Sequence, residues 1–281
     1  MNAMLSELTV ALNAFANACA SIVLAPVPLL PEWVSATVIA AVSGMLMLLM
    51  FKYTSRQAAL KRVRQDINAN LLALSLFRDC VSVSLRCQAR VLLAAGRLLL
   101  LSFVPVCVMC VPTCLLLSQL ALWYQARPLH AAEEAVVTVH VRTEPGRVMP
   151  DVLLAPGSAV ELSAGPVCVP AEQFICWRIR AVQSGHKQLT FISGGREFEK
   201  QLAVGEGLMR VSPRRPSWNW ADMARNPGER AFPPDSVVQA IDVAYPERDS
   251  WTAGTRTWIW YWFAASMVFG CLLRPVFKVN L

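Results

Sequence analysis

The stretch MLMLLMFKYTSRQAALKRVRQDI, from Met45 to Ile67, joins an apolar segment directly to a basic one. It begins as an unbroken apolar run and continues as a basic segment, and neither Gly nor Pro separates the two parts. Beyond Phe51 the apolar residues recur every three or four positions, which is the spacing of an amphipathic helix. The pattern predicts one continuous helix that leaves a membrane near Phe51 and projects into water.

Composition supports a membrane protein. The chain has 281 residues, of which 55% are hydrophobic and 16% charged, which is too apolar for an ordinary soluble domain. Three transmembrane helices are predicted, at residues 33–51, 98–124 and 257–273, and none of them contains a charged residue. Their lengths approach or exceed the roughly 20 residues that a bilayer requires. Any single run has a buried core helix as its alternative, but three such runs in one chain disfavour that alternative.

The distribution of charge predicts the orientation of these helices. Residues 1–51 contain no Lys or Arg, whereas residues 52–97 contain nine basic residues against two acidic ones. Because Lys and Arg accumulate on the cytoplasmic side of membrane proteins, residues 52–97 and the tail 274–281 are expected inside. Residues 1–32 and 125–256 are then outside, so the protein is a multi-pass plasma-membrane protein with an outer N-terminus and a cytoplasmic C-terminus.

The N-terminal segment, residues 1–32, predicts an amphipathic helix that lies outside the membrane. Asn13, Asn17 and Ser21 fall between apolar residues that recur at alternating spacings of three and four. These apolar residues are Leu5, Leu8, Leu12, Phe15, Cys19 and Ile22. No positive charge precedes Lys52, so the segment lacks the start of a secretory signal. We expect this helix to lie in the outer interface or to pack on the transmembrane helices.

Residues 52–97 are predicted to form a basic helical hairpin, similar to a coiled coil. The heptad-like apolar spacing continues to Val81, and the weakest helix-forming patch begins at Arg78-Asp79-Cys80, where we place the reversal. Five basic residues mark the inner membrane edge and the first arm: Lys52, Arg56, Lys61, Arg62 and Arg64. The alternative is a solvated hairpin that serves only as a topogenic signal.

Between the second and third apolar runs the period changes from helix to strand. Apolar and polar residues alternate in short stretches separated by Pro, Gly and Ser, at residues 135–143, 151–154, 159–163, 175–182, 187–192 and 196–204. Residues 125–204 are therefore predicted to form an all-β, immunoglobulin-like sandwich. Residues 205–256 are Pro-rich and predict an irregular stalk with one strand at 237–245.

The cysteines and histidines give no catalytic constellation. Cys168 and Cys176 lie in the outer domain at a spacing that suits a disulfide, with a pair of free thiols as the alternative. The chain has no paired carboxylates, phosphate-binding loop or nucleophile motif, so we expect neither an enzyme nor a metal or cofactor. The basic segment lacks interleaved aromatic residues, which disfavours nucleic acid as a partner.

The order of these segments resembles the minimal core of the YidC/Oxa superfamily of membrane-protein insertases, whose relatives include the third subunit of the ER membrane protein complex. The residues Phe51-Lys52-Tyr53-Thr54-Ser55-Arg56-Gln57 and Lys61-Arg62-Val63 also resemble a junction in bacterial three-pass proteins. The resemblance covers residues 5–124 and 256–281 and leaves out the outer β domain. It implies a bacterial inner-membrane location.

The resemblance also implies a groove lined by polar side chains, which would shorten the apolar path of a client's polar flank. The polar residues of the predicted spans that would line it are Ser43, Ser102, Thr113, Ser118, Gln119 and Ser266. Bacterial insertases place an arginine in this groove, whereas none of the spans here contains one.

Two functional hypotheses follow. The first is an insertase-like or chaperone-like factor in membrane-protein biogenesis, with the bilayer and nascent membrane proteins or the ribosome as partners. The second is a membrane-anchored scaffold or binding protein that recruits a protein partner through its outer β domain.

Overall fold

The computed structural model describes residues 2–55, 57–76, 81–143, 149–155, 157 and 159–277. The chain divides into two compact units. The sheet unit comprises Met1–Ala36 and Leu115–Tyr261, and the helical unit comprises Thr37–Cys114 and Trp262–Leu281.

The described residues form six helices: α1 Asn2–Val23, α2 Glu32–Thr54, α3 Gln57–Leu76, α4 Val81–Tyr124, α5 Trp220–Arg225 and α6 Thr257–Phe277. By length and composition four helical segments are suited to crossing a membrane: Asn2–Leu29, Glu32–Thr54, Leu85–Tyr124 and Thr257–Phe277. The sequence predicted three, and the additional candidate is the segment that contains α1. This segment qualifies because Asn, Ser and Thr are its chief polar residues and Glu7 is its one charged residue.

The prediction of one helix running unbroken from the membrane into the hairpin is wrong beyond Thr54. There α2 ends, Ser55 adopts a bend, and α3 begins at Gln57. The Thr-Ser pair explains the end, because hydroxyl side chains compete with the backbone for hydrogen bonds and weaken a helix. Arg56 and the predicted reversal at Arg78-Asp79-Cys80 lie outside the described residues.

The second predicted span is part of a longer element. Helix α4 has 44 residues and joins the segment predicted as the second arm of the hairpin to the second apolar run. It continues through Pro105 and Pro112, each of which removes one backbone donor from the helix.

The described residues of the sheet unit form eight strands: β1 Glu134–Val141, β2 Leu153–Leu154, β3 Val160–Val169, β4 Phe174–Ala181, β5 Gly185–Ser193, β6 Arg196–Val204, β7 Arg214–Arg215 and β8 Val238–Val243. One sheet has the order β3-β4-β1-β8-β7 and the other the order β2-β5-β6. All strand pairs in both sheets are antiparallel, as the alternating pattern predicted.

A single apolar cluster joins the two sheets. It contains alternate residues of β1 and β4, such as Val137, Val139 and Trp177, together with Phe191 of β5 and Leu202 of β6, all buried. Each such side chain contributes about 1.5–3 kcal/mol when it leaves water. The core therefore lies on one face of each sheet, and the polar alternate residues face outward.

Residues 205–256 do not form an irregular stalk, contrary to the prediction. They supply β7, α5 and β8, of which β8 confirms the strand predicted at 237–245. β8 pairs with β1 inside the five-stranded sheet, with Val139 opposite Ile241. Phe232 from the same segment is buried in the apolar cluster. The prediction failed because the Pro-rich segment has little local period, and its order comes from pairing with a strand about 100 residues earlier in the chain.

Candidate functional site

A cavity of about 360 Å³ lies among α2, α4 and α6 in the helical unit. Each helix contributes one methionine to its wall: Met47, Met109 and Met267. We call this space the methionine cavity. Its hydroxyl-bearing lining residues are Thr113 and Ser266, and its other lining residues are Gly44, Leu48, Phe51, Trp262, Phe263, Gly270 and Cys271.

Small residues allow α2 and α6 to approach closely beside the cavity. A Cβ atom on Gly44 would lie 2.4 Å from the carbonyl oxygen of Ser266, so only glycine fits there. The indole Nε1 of Trp262 donates a hydrogen bond of 2.9 Å to the Ser43 hydroxyl, which in turn donates to the Ala40 carbonyl. Packing of this kind, with small residues and a hydrogen bond between helices, is typical of membrane helices.

The six residues proposed to line a polar groove have different environments. Thr113 and Ser266 line the methionine cavity, and Ser43 is buried in its hydrogen bond with Trp262. Ser102 and Ser118 donate to carbonyl groups of their own helix. Gln119 is buried in the sheet unit, where its side-chain amide donates to Asn17.

The lining of the methionine cavity determines what it could bind. Methionine has three rotatable bonds and a polarizable sulfur, so a methionine wall adapts to apolar partners of different shape. No Asp, Glu, Lys, Arg or His is among its described lining residues. Recognition there would rest on apolar contact with support from two hydroxyls, and a charged partner would find no compensating group.

The predicted basic residues of the hairpin lie at its surface. Lys61, Arg62 and Arg64 on α3 are exposed, and Lys52 near the end of α2 is partly exposed. Several leucines of α3 and of the start of α4 are also exposed: Leu71, Leu72, Leu76 and Leu85. These helical segments thus present basic and apolar groups together, a combination suited to a partner that is apolar and acidic.

A second concave site, of about 700 Å³, lies in the sheet unit. We call it the polar pocket. Helix α1 forms one side through Asn13 and Asn17, and the opposite side includes Glu199 and Gln201 of β6 and Arg215 of β7. Its remaining lining residues are Val10, Ala14, Gln188, Trp218, Met223, Pro227, Gly228, Glu229, Arg230 and Ala231. No local pattern in the sequence indicates this pocket, since most of its lining comes from the segment predicted as a stalk.

Asn17 connects three parts of the sheet unit at the edge of the polar pocket. Its side-chain nitrogen donates to the Pro227 carbonyl at 2.9 Å, and its side-chain oxygen accepts from Gln119 and from Arg210, each at 2.9 Å. Asn13, one turn earlier, donates to the Met223 carbonyl at 2.8 Å. The polar face of α1 is therefore hydrogen-bonded within the sheet unit.

The opposite face of α1 is apolar and exposed. Met4, Leu8, Phe15 and Ile22 repeat at helical spacing, and between 54% and 77% of each is accessible. These residues form what we call the apolar stripe of α1.

An ion pair lies in the interior beside the polar pocket. Lys200 is fully buried, and its Nζ lies 2.5 Å from Glu229 Oε1 and 2.6 Å from the Ser212 carbonyl oxygen. Burial lowers the pKa of Lys200, and the charge of Glu229 opposes that shift. The second oxygen of Glu229 accepts from the backbone N–H of Gln201.

The same carboxylate helps to close the edge of the three-stranded sheet. β6 is an edge strand, and side chains occupy several of its outward backbone groups. Glu229 accepts from Gln201, the Tyr245 hydroxyl accepts from the N–H of Ala203, and Arg215 donates to the Glu199 carbonyl. Because these backbone groups already have hydrogen-bond partners, they are not available to pair with another strand.

The predicted disulfide between Cys168 and Cys176 is not formed, and both residues are free thiols. In the β3–β4 register Cys176 lies opposite Val167, whereas Cys168 lies opposite Ile175. Since successive side chains of a strand point to opposite faces, the two sulfurs are on different faces of the sheet. Cys176 instead lies 3.4 Å from the Thr138 hydroxyl.

Within the described residues, no three His, Cys, Asp or Glu side chains are grouped closely enough to hold a metal ion. No protein-family model, curated protein or solved structure matches the chain.

Proposed function

We propose that the protein is a non-enzymatic, insertase-like or chaperone-like factor of membrane-protein biogenesis in the bacterial inner membrane, related to the YidC/Oxa superfamily. The observation that carries this proposal is the methionine cavity. Three helices suited to crossing a membrane contribute to its lining, with one methionine from each. Such a wall adapts to apolar side chains of varied shape, which is what a factor with many clients requires.

The hydrogen bonds of α1 support a topology with three spans. If α1 crossed the bilayer, its partners at Met223, Pro227 and Arg210 would enter hydrocarbon with it. A charged side chain at the centre of a bilayer costs about 2.5–3.5 kcal/mol on insertion scales, and loop backbone is not tolerated against lipid. We therefore place α1 in the outer interface, with its apolar stripe toward lipid.

The remaining topology follows the charge distribution. Helix α2, the C-terminal part of α4, and α6 are the proposed spans, and the basic hairpin of α3 and early α4 is cytoplasmic. The antiparallel β domain is outside, and we retain an immunoglobulin-like sandwich as its proposed class.

An insertion assay tests the proposed activity. Proteoliposomes that contain the full chain are expected to insert a single-span client faster than empty liposomes. Replacing Met47, Met109 and Met267 together by Ala should abolish most of this gain, because the cavity loses its adaptable wall. The matched variant replaces Val42, Val108 and Val268 by Ala, one exposed residue from each of the same three helices outside the cavity lining, and should remain active. Equal loss in both variants would contradict the proposal.

The polar pocket favours a second candidate function, a membrane-anchored binding protein that acts through its β domain. Its volume of about 700 Å³ falls within the range of ligand sites, and its lining carries both charges. This function predicts that changes at Glu199 and Arg230 abolish activity in the cell while the methionine variant remains functional.

A further inference from the structure

We propose that the polar pocket binds a zwitterionic headgroup of the phosphoethanolamine type, with its phosphate at Arg215 and Arg230 and its ammonium group at Glu199 and Asn13. This proposal is independent of insertase activity, because it concerns residues of the sheet unit alone. It assigns a ligand class to a pocket of about 700 Å³.

The anionic end of the ligand is expected at the two arginines. Arg215 is held by its own contacts: its Nε donates to the Arg230 carbonyl at 3.0 Å, and its guanidinium lies 4.0 Å from the centre of the Phe232 ring. Burial lowers the pKa of Arg215, so its cation lacks part of the solvation it has in water. A phosphate would supply charge-assisted hydrogen bonds to this oriented guanidinium and to the exposed Arg230 beside it.

The cationic end of the ligand is expected at two acceptors on the pocket wall. The side-chain oxygen of Asn13 is buried, and no described residue donates to it, while its nitrogen is engaged with Met223. A buried acceptor without a donor is unfavourable, and an ammonium N–H would supply the missing hydrogen bond. Among the described residues no salt bridge engages the Glu199 carboxylate, whereas Glu229 is committed to Lys200.

The position of α1 favours a lipid as the source of this headgroup. The helix that forms one side of the pocket carries the exposed apolar stripe on its other side. The chain then passes through the turn Val27–Leu29 into α2, a helix suited to crossing a membrane. Trp218 also lines the pocket, and tryptophan is enriched at the level of lipid headgroups.

Lipid retention by the full chain tests the proposal. The chain would be purified in detergent with an equimolar mixture of phosphatidylethanolamine, phosphatidylcholine and phosphatidylglycerol, and the retained lipid identified by native mass spectrometry. We expect preferential retention of phosphatidylethanolamine. Glu199→Gln and Arg230→Gln should each lower this preference about tenfold, which corresponds to one charge-assisted hydrogen bond. Both side chains are at the surface, so the variants are expected to fold.

Matched controls come from the same strand. Glu197→Gln and Arg196→Gln change exposed charges of β6 outside the pocket lining, and they should retain the wild-type preference. Titration with soluble phosphoethanolamine separates the two sources of the ligand: displacement of the bound lipid shows that the headgroup alone suffices, and its failure shows that the acyl chains contribute. Equal retention of phosphatidylglycerol, or an unchanged preference in both pocket variants, would overturn the proposal.

Discussion

At the scale of single residues, Lys200 places an ionisable amino group in the interior of the sheet unit. Glu229 makes this tolerable, because it is the ion-pair partner of Lys200. Glu229→Gln should lower the free energy of unfolding by about 3–5 kcal/mol, since a buried lysine would lose its counter-charge. Denaturant unfolding of the full chain in detergent, followed by tryptophan fluorescence, measures this change.

The control for this prediction is Glu197→Gln, which removes an exposed carboxylate and should change the free energy of unfolding by less than about 0.5 kcal/mol. Adding Lys200→Met to the Glu229→Gln variant should restore most of the lost stability, because the uncompensated charge is then gone. If Glu229→Gln were no more harmful than its control, the ion pair would not have the role given to it.

Glu133 makes part of the stability dependent on pH. Arg127 donates two hydrogen bonds to its carboxylate, and the backbone N–H of His130 adds a third, so the pKa of Glu133 lies below its ordinary value of 4.5. As the pH falls from about 4.5, the unfolded chain takes up the proton first. The contribution of this carboxylate is therefore complete above pH 4.5 and is lost as the pH falls through the lower pKa of the folded state.

Glu133→Gln tests this dependence. At pH 7 the variant should be less stable than the parent chain by about 1 kcal/mol, because the pair with Arg127 is partly exposed. The difference between the two chains should shrink as the pH is lowered below 4.5. Thermal unfolding at pH 7 and at pH 3.5 measures it, and a constant difference would contradict the assignment.

Residue-level predictions from the sequence succeeded where they depended on residue type and failed where they depended on which distant residue a side chain contacts. The sequence identified Gln119 as the one amide of the predicted spans, but its partner, Asn17, lies 102 residues earlier in the chain. The disulfide failed for a similar reason, because a register difference of one residue places Cys168 and Cys176 on opposite faces. Neither pairing has a local signal.

At the scale of elements, the contact between α2 and α6 depends on Gly44. Gly44→Ala would place a methyl group 2.4 Å from the Ser266 carbonyl oxygen, so the helices would have to separate. We expect a loss of about 1–3 kcal/mol in stability. Gly96→Ala is the matched control, because nothing lies within 4 Å of a Cβ atom there and alanine favours the helix. Thermal unfolding of both variants in detergent compares them, and similar values would contradict the close contact.

The attachment of α1 depends on Asn17. Asn17→Ala removes three hydrogen bonds and leaves Gln119 without its acceptor. We expect α1 to open more often, so that backbone amides of residues 8–20 exchange at least about tenfold faster with deuterium. Thr9→Ala is the control, since the Thr9 hydroxyl bonds only within α1, to the Leu5 carbonyl. Unchanged exchange in Asn17→Ala would show that apolar packing alone holds the helix.

Element-level prediction succeeded where a period is visible. Uncharged runs predicted α2, the end of α4, and α6, and alternation predicted β1 and β4 to β6 within a few residues. In the segment 205–256 it predicted β8 but neither β7 nor α5, and it gave no sign of the long-range pairing of β8 with β1. It also failed at the join between α2 and α3. Hydropathy alone also does not identify the membrane spans. The segment that contains α1 qualifies by composition, although the polar face of α1 is hydrogen-bonded within the sheet unit.

At the scale of the whole molecule, the described cavity differs from the polar groove that the resemblance implies. Only Thr113 and Ser266 of the six proposed lining residues border it, and its lining contains no cation. A charged flank would meet no compensating group during passage. We therefore expect clients with short, uncharged outer flanks, and adding two Asp residues to such a flank should reduce insertion in the proteoliposome assay. Equal insertion of both clients would show that the cavity is not the route.

Site-specific photocrosslinking in living cells tests whether nascent membrane proteins contact the methionine cavity. A photoreactive residue would replace Met47 or Met109, which line the cavity and are partly buried, and Val42 or Val108, which are exposed residues of the same two helices outside the lining. We expect crosslinks from the two cavity positions to a range of nascent membrane proteins, and no such crosslinks from the two valine positions. Crosslinks to one stable partner only, or the same products from all four positions, would contradict the proposed function.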